Sequence, residues 1–113
     1  MTTPTTQFFD ELARRGREPL LRKATGVIRF DIADNGRKER WIVSIDHGDI
    51  DVSHRNVAGD CRLSAPRAVF EQIASGEVNA TAAMLRGTVQ AEGDWRLLVL
   101  AQRLFRRGEE VEG

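Results

Sequence analysis

The densest group of reactive side chains is Asp46-His-Gly-Asp-Ile-Asp-Val-Ser-His54, which carries two histidines and three carboxylates. Imidazoles and carboxylates this close together can bind a metal or exchange protons with a substrate. The spacing argues against both. His47-Gly48 reads as a turn, and Ile50, Val52 and His54 alternate onto one side of a strand. Asp49 and Asp51 then point away from His54, so the group reads as a hairpin with a solvated outer face. An enzyme built on His47 or His54 is therefore the third-ranked reading. Ser44, Ser53, Ser64 and Ser75 have no base and orienting acid beside them in sequence, and the chain has no tyrosine. It also lacks H-E-x-x-H, G-x-S-x-G, a P-loop and G-x-G-x-x-G. One cysteine, Cys61, allows neither an internal disulfide nor a thiolate zinc cluster, and it reads as a small buried apolar residue. No catalytic residue, metal or cofactor is expected.

A length of 113 residues bounds the chain to one domain, 1–113, with residues 1–6 and 108–113 expected to fray. Acidic and basic residues balance at 17 each, which argues against a nucleic-acid partner, since that needs a net basic face. The cluster Arg14, Arg15, Arg17, Arg22 and Lys23 reads as a solvated face before it reads as a contact for an anionic membrane or ligand. The start of the chain lacks the basic and apolar parts of a secretory signal. The longest apolar run, 97–101, falls far short of the roughly 20 residues of a membrane span. The expectation is a cytoplasmic protein.

The elements that position these residues follow from periodicity. Phe8 and Leu12 share a helix face at i, i+4, with threonines before them as caps, acids in the first turn and a basic stop at Arg14-Arg15-Gly16. Ile28, Phe30 and Ile32 alternate against Arg29 and Asp31, and Asn35-Gly36 turns the chain back. Trp41, Val43 and Ile45 fall on one side of the next strand. A turn at His47-Gly48 pairs Ile45 with Ile50, Val43 with Val52, and Trp41 with His54. A short strand at 61–63 leads through Pro66, placed in the first helical turn, to a helix over 67–75. Asn79 caps a small-residue helix that Gly87 ends, Val89 and Ala91 form the inward side of a last strand, and Asp94 caps an apolar helix over 95–105. That helix has more apolar surface than one core-facing stripe needs. It is either buried on two sides or faces a cavity, a partner or a lipid. This order predicts an α+β fold, a mostly antiparallel sheet with helices on one face.

The ordered motifs carry a resemblance. They are Gly26-Val-Ile-Arg-Phe-Asp-Ile32, Trp41-Ile-Val-Ser-Ile-Asp-His-Gly48, Asp60-Cys-Arg-Leu-Ser64 and Phe70-Glu-Gln-Ile-Ala-Ser-Gly-Glu-Val-Asn79. Ala82-Ala-Met-Leu-Arg-Gly87 and Glu92-Gly-Asp94 complete the set. From about Phe8 to Phe105 the chain resembles the sterol carrier protein 2 domain family, the SCP-type sterol-binding domain. The resemblance implies a five-stranded sheet under helices, enclosing a hydrophobic tunnel for fatty acyl chains, sterols or other lipids. It implies a carrier with no catalytic motif.

Candidate cavity-lining residues are Phe70 and Ile73 on one helix, Met84 and Leu85 in the Ala-Met-Leu-Arg match, and Leu98, Ala101 and Leu104 on the last helix. Phe30, Trp41 and Val43 would form the sheet floor. Each position reads equally as ordinary core packing. The resemblance leaves the ligand open among a fatty acid, an acyl-CoA and a sterol-like molecule. Many eukaryotic relatives end in a peroxisomal tripeptide, whereas this chain ends Glu-Val-Glu-Gly, which suits a stand-alone bacterial type. The expected partners are a lipid or apolar small molecule and, transiently, a membrane surface. The chain is either a monomer or a homodimer. The alternative function is an interaction module docking through its apolar C-terminal helix onto an enzyme or a second copy.

Overall fold

The alternation at Ile28, Phe30 and Ile32 becomes a ten-residue strand, β1 (Thr25–Asp34), whose three large side chains are all buried. The computed structural model describes residues 3–105, without the side chains of Leu20 and Arg103. The turn at Asn35-Gly36 takes positive φ at both positions and returns the chain as β2 (Arg37–Asp46). The His47-Gly48 turn does the same before β3 (Asp49–Ser53). Ile45 pairs with Ile50 and Val43 with Val52, the register expected from alternation, and the Trp41 and His54 rings lie 4.2 Å apart.

The chain then crosses to the far side of β1 and runs parallel to it as β4 (Cys61–Pro66). The final strand, β5 (Gln90–Gly93), pairs antiparallel with β4 and completes a five-stranded sheet in the order β3-β2-β1-β4-β5. The crossover is tied to the sheet. The Arg40 guanidinium donates to the His54 and Arg55 carbonyls, Arg29 donates to the Val57 carbonyl, and Asp60 Oδ2 accepts the Val27 N–H at 2.7 Å. The outer face is thus partly covered rather than wholly solvated, and Ile42 on that side is fully buried.

The helices lie on the other face. Helix α1 (Pro4–Arg15) buries Thr5, Phe8, Phe9 and Leu12. It begins inside the stretch expected to fray. Thr3 caps it, and Asp10 and Glu11 therefore fall in mid-helix rather than in the first turn. Residues 1–2 and the expected acidic tail at 108–113 lie outside the described residues. A 3₁₀ turn at Pro19–Leu21 buries Leu21. Helix α2 (Arg67–Ala74) starts at the expected residue and ends one residue early, and the proline expected in its first turn lies outside it. Pro66 still belongs to β4 and stands at the N-cap with extended backbone, with no side-chain cap.

Helix α3 (Ala80–Arg86) is capped as expected. Asn79 Oδ1 accepts the Thr81 and Ala82 N–H groups, and Gly87 ends the helix at φ +79. Helix α4 (Trp95–Ala101) continues into a 3₁₀ turn at Gln102–Phe105. At the junction before α4, Gly93 has φ +104, and a Cβ there would lie 2.5 Å from the Asp60 carbonyl oxygen. Only glycine fits so close an approach. Asp94 donates its N–H to the same carbonyl and accepts the Arg96 and Leu97 N–H groups on its side chain. The Gly-Asp pair therefore fixes α4 against the start of β4. Among the described residues, no helix is long and apolar enough to cross a membrane.

Candidate functional site

The sheet and helices meet in two different ways along the core. Under α1, aromatic rings close the space. Phe9 stacks on Trp41 at 4.4 Å and on Phe70 at 5.5 Å, and Phe30 meets Phe9 edge-on at 5.2 Å. Under α2, α3 and α4 the layer is looser and encloses a pocket. Its floor is Phe30 and Ile32 from β1 with Leu63 and Ala65 from β4. Its roof is Phe70 and Ile73 from α2, Ala80 and Met84 from α3, and Leu98 and Ala101 from α4. Val89, Phe105 and one polar residue, Gln102, close the ends. The free volume is about 20 Å³. That is enough for a water-sized group, whereas sites for drug-sized molecules run to about 300–1,000 Å³.

Six of the expected residues line this pocket together: Phe30, Phe70, Ile73, Met84, Leu98 and Ala101. Trp41 and Val43 do not. Both are buried in β2, on the half of the sheet that α1 covers, and Trp41 lies between Phe9 and His54. Leu104 is fully buried in the core but is not at the pocket wall. Leu85 is a correction: it is 85% exposed. Ala80, Ala83 and Met84 form the inward stripe of α3 at i, i+3, i+4, and Leu85 is rotated about 100° off it. Ala91 is a second correction, because every residue of β5 is exposed and the inward residue is Val89, before the strand.

Several wall residues were missed. Ile32 and Leu63 share faces with Phe30 and Cys61, so alternation alone could have named them. Ala80 stands one turn from Met84. Nothing in the sequence singled out Gln102.

The terminal helix is apolar on two sides, and the two differ in exposure. Leu97, Leu98 and Ala101 are buried, and Leu100 packs partly against the core. Trp95 and Val99, at i, i+4, are 72% and 44% exposed.

The polar group at 46–54 is dispersed by the hairpin. His54 Nδ1 lies 2.6 Å from the Arg40 carbonyl oxygen, so that nitrogen carries the proton and donates it. The exposed His47 ring bonds its neighbour Asp46, while Asp49 pairs with Arg17 at 2.7 Å. Among the described residues, no three His, Cys, Asp or Glu side chains group as metal ligands. Cys61 is buried, and its thiol pKa is pushed up to about 12 by that burial and then by Asp94 and Asp60. It stays protonated and is a poor nucleophile.

Arg67 is the charged pin of the helical layer. Its Nε bonds Asp34 at 2.9 Å and Nη2 bonds Glu39 at 3.0 Å, while Nη1 has no hydrogen-bond partner among the described residues and lies 3.7 Å from Glu71. Burial would lower the Arg67 pKa, but the bonds and charges of Glu39 and Asp34 outweigh it and hold it raised. Glu39 also accepts the Trp41 indole N–H, and Glu71 accepts the Thr5 hydroxyl. The network ties α1 and α2 to the β1–β2 hairpin.

The fold is shared. Similar folds are found in sterol carrier protein domain 2 of Helicoverpa armigera (TM-score 0.76, 19% identity, covering 92% of this chain and 87% of that one). Another is sterol carrier protein 2 of Yarrowia lipolytica in its apo form (0.71, 20%, 89% and 88%). A third is the Aedes aegypti sterol carrier protein 2 in complex with the C16 fatty acid palmitate (0.73, 20%, 93% and 96%). No curated protein sequence matches the chain significantly. The profile of one family matches residues 7–106, nearly the whole of the described chain, and on that match the protein belongs to the SCP-2 sterol transfer family.

Proposed function

We propose that the chain is one carrier domain that binds a lipid or similar apolar molecule between the sheet and α2–α4, without converting it, and passes it on. The observation that carries this reading is the pocket itself: six secondary-structure segments contribute apolar walls, and one polar side chain joins them. Phe30, Phe70, Ile73, Met84, Leu98 and Ala101 are the ligand contacts. Trp41, Val43 and Leu104 are the packed frame around them.

A ligand the size of an acyl chain needs the roof to move. Helix α3 is the element suited to that. It has seven residues, buries only Ala83 completely, and is bounded by an N-cap on one side and a glycine on the other. Elements with so little buried surface open at low free energy. A reducing compartment such as the cytoplasm suits a chain whose single cysteine is buried and unpaired.

Native mass spectrometry with a fluorescent acyl probe tests the proposal. A one-to-one complex is expected, and Ala80→Leu, which fills the pocket from a half-buried position, should abolish it while unfolding stays cooperative. No uptake of acyl probes or sterols by the folded protein would sink the carrier reading.

A second reading, docking of α4 onto another copy, is favoured by the exposed Trp95 and Val99. It predicts a dimer in light scattering that Trp95→Glu dissolves. A monomer at high concentration would end it.

A further inference from the structure

Helix α3 is fastened at one end only. The Ala83 carbonyl, in its C-terminal half, accepts the Thr88 N–H and the Thr88 hydroxyl, each at 3.0 Å, and the Val89 N–H at 3.3 Å. Those bonds tie the helix to the segment that enters β5, and Val89 is itself buried. Ala83 also supplies the one side chain that α3 buries completely. The first turn has no such tie. The Thr81, Ala82 and Ala83 N–H groups all bond Asn79, and among the described residues no hydrogen bond joins 79–82 to another element. The turn before it is exposed at 75–77, and a Cβ on Gly76 would meet no atom within 4 Å. Beside this loose end lies a second space of about 90 Å³. It shares Ile73, Ala80, Gln102 and Phe105 with the apolar pocket, and its outer side is exposed at Asn79 and Thr81. On α3, the wall common to both spaces is Ala80.

We propose that the ligand enters between α2 and α3, through this second space, as the first turn of α3 unwinds from Asn79 while its C-terminal half stays pinned at the Ala83 carbonyl. The route rests on the carrier reading and adds to it where the roof opens. Unwinding the first turn withdraws Ala80, and the two spaces become one passage to solvent. Opening at the other end would break three bonds to one carbonyl and bare the Ala83 methyl and the Val89 side chain. The bonds of the first turn lie at the surface, where water replaces them, and Ala80 is already half-buried. The end with less to uncover opens more often.

Two measurements on the whole protein test the route. The first needs neither ligand nor variant. Hydrogen exchange of the unliganded protein should show the Ala83 N–H, bonded to Asn79, protected at least about tenfold less than the Thr88 and Val89 N–H groups. Equal protection at the three amides overturns the pivot. The second follows uptake and release of the fluorescent fatty acid cis-parinaric acid by stopped flow. Asn79→Ala removes the cap and should speed uptake and release together by about fivefold, leaving the dissociation constant unchanged. Asn79→Ser keeps a capping oxygen and should restore both rates. Thr88→Val loosens the pinned end and should leave both rates as they were. A merely destabilised pocket would instead raise release alone and weaken binding, which overturns the route. Rates that respond to Thr88→Val as much as to Asn79→Ala, or to neither, also overturn it and leave the carrier standing. Failure of the folded protein to take up the probe overturns the carrier reading and the route with it.

Discussion

The two halves of the helical layer rest on the same sheet and are built on opposite plans. Under α1, twelve helical residues bury four side chains, three of them large, and lock Phe9 between Trp41 and Phe70. Under α3, seven residues bury one alanine and leave Leu85 and Arg86 in solvent. The strands follow suit. The β1–β2 ladder runs ten residues at full register, while β5 has four residues, all exposed. A core needs one rigid half to define the sheet's geometry. A carrier also needs a half that opens without unfolding the first, and low packing density per residue is the physical form of that.

The comparison is broken most directly at Phe9. Phe9→Ala removes a fully buried ring that touches Phe30, Trp41 and Phe70, and should destabilise the protein by about 3–5 kcal/mol in urea unfolding. Met84→Ala, at a half-buried wall position in the looser half, should cost about 1–2 kcal/mol. Equal losses would show that the halves pack alike and that the contrast is one of helix length only.

The contrast was only partly legible in the sequence. Period-two alternation is a property of the backbone, so the hairpin register and the inward faces at Phe30, Trp41 and Val43 followed from residue order alone. Caps at Asn79 and Asp94 and the stop at Gly87 are local chemistry and were equally plain. What alternation does not say is which helix covers which strand. Trp41 and Phe30 share a face and are register partners, yet Trp41 lies under α1 and Phe30 at the pocket. The parallel placement of β4 beside β1 separates them, and that is a long-range contact with no sequence period. Gln102 was illegible for the same reason, because its meaning comes from two pockets meeting beside it.

A smaller effect sharpens the comparison at the joint between the halves. Arg67 on α2 bonds Asp34 and Glu39 of the hairpin, and all three side chains keep some exposure, so water screens part of the loss when the cation is removed. Arg67→Met should cost about 1–2 kcal/mol, less than loss of a wholly buried ion pair. Its distinctive readout is positional. Hydrogen exchange should quicken at α2 and at the start of α1, where Thr5 bonds Glu71, and remain slow in the β2–β3 ladder. Uniform quickening across the sheet would mean that Arg67 holds the whole fold rather than the joint.

The smallest expected effect separates two neighbours on α3. Met84 and Leu85 are adjacent, similarly apolar and indistinguishable by composition, but one turns to the pocket and the other to water. Leu85→Ser exposes no new core surface and empties no space, so its stability change should stay within about 0.5 kcal/mol and its acyl-probe affinity should be unchanged. Met84→Ser puts a hydroxyl at the apolar wall and should weaken the same probe by about tenfold or more. The pair reads the rotation of α3 in solution from binding alone. If Leu85→Ser weakens the probe as much as Met84→Ser, the helix presents both side chains to the ligand, and the loaded state has α3 turned or lifted from the position it holds over the sheet. If only Met84 matters, the pocket fills by displacement of α3 without rotation, and Leu85 is left as surface.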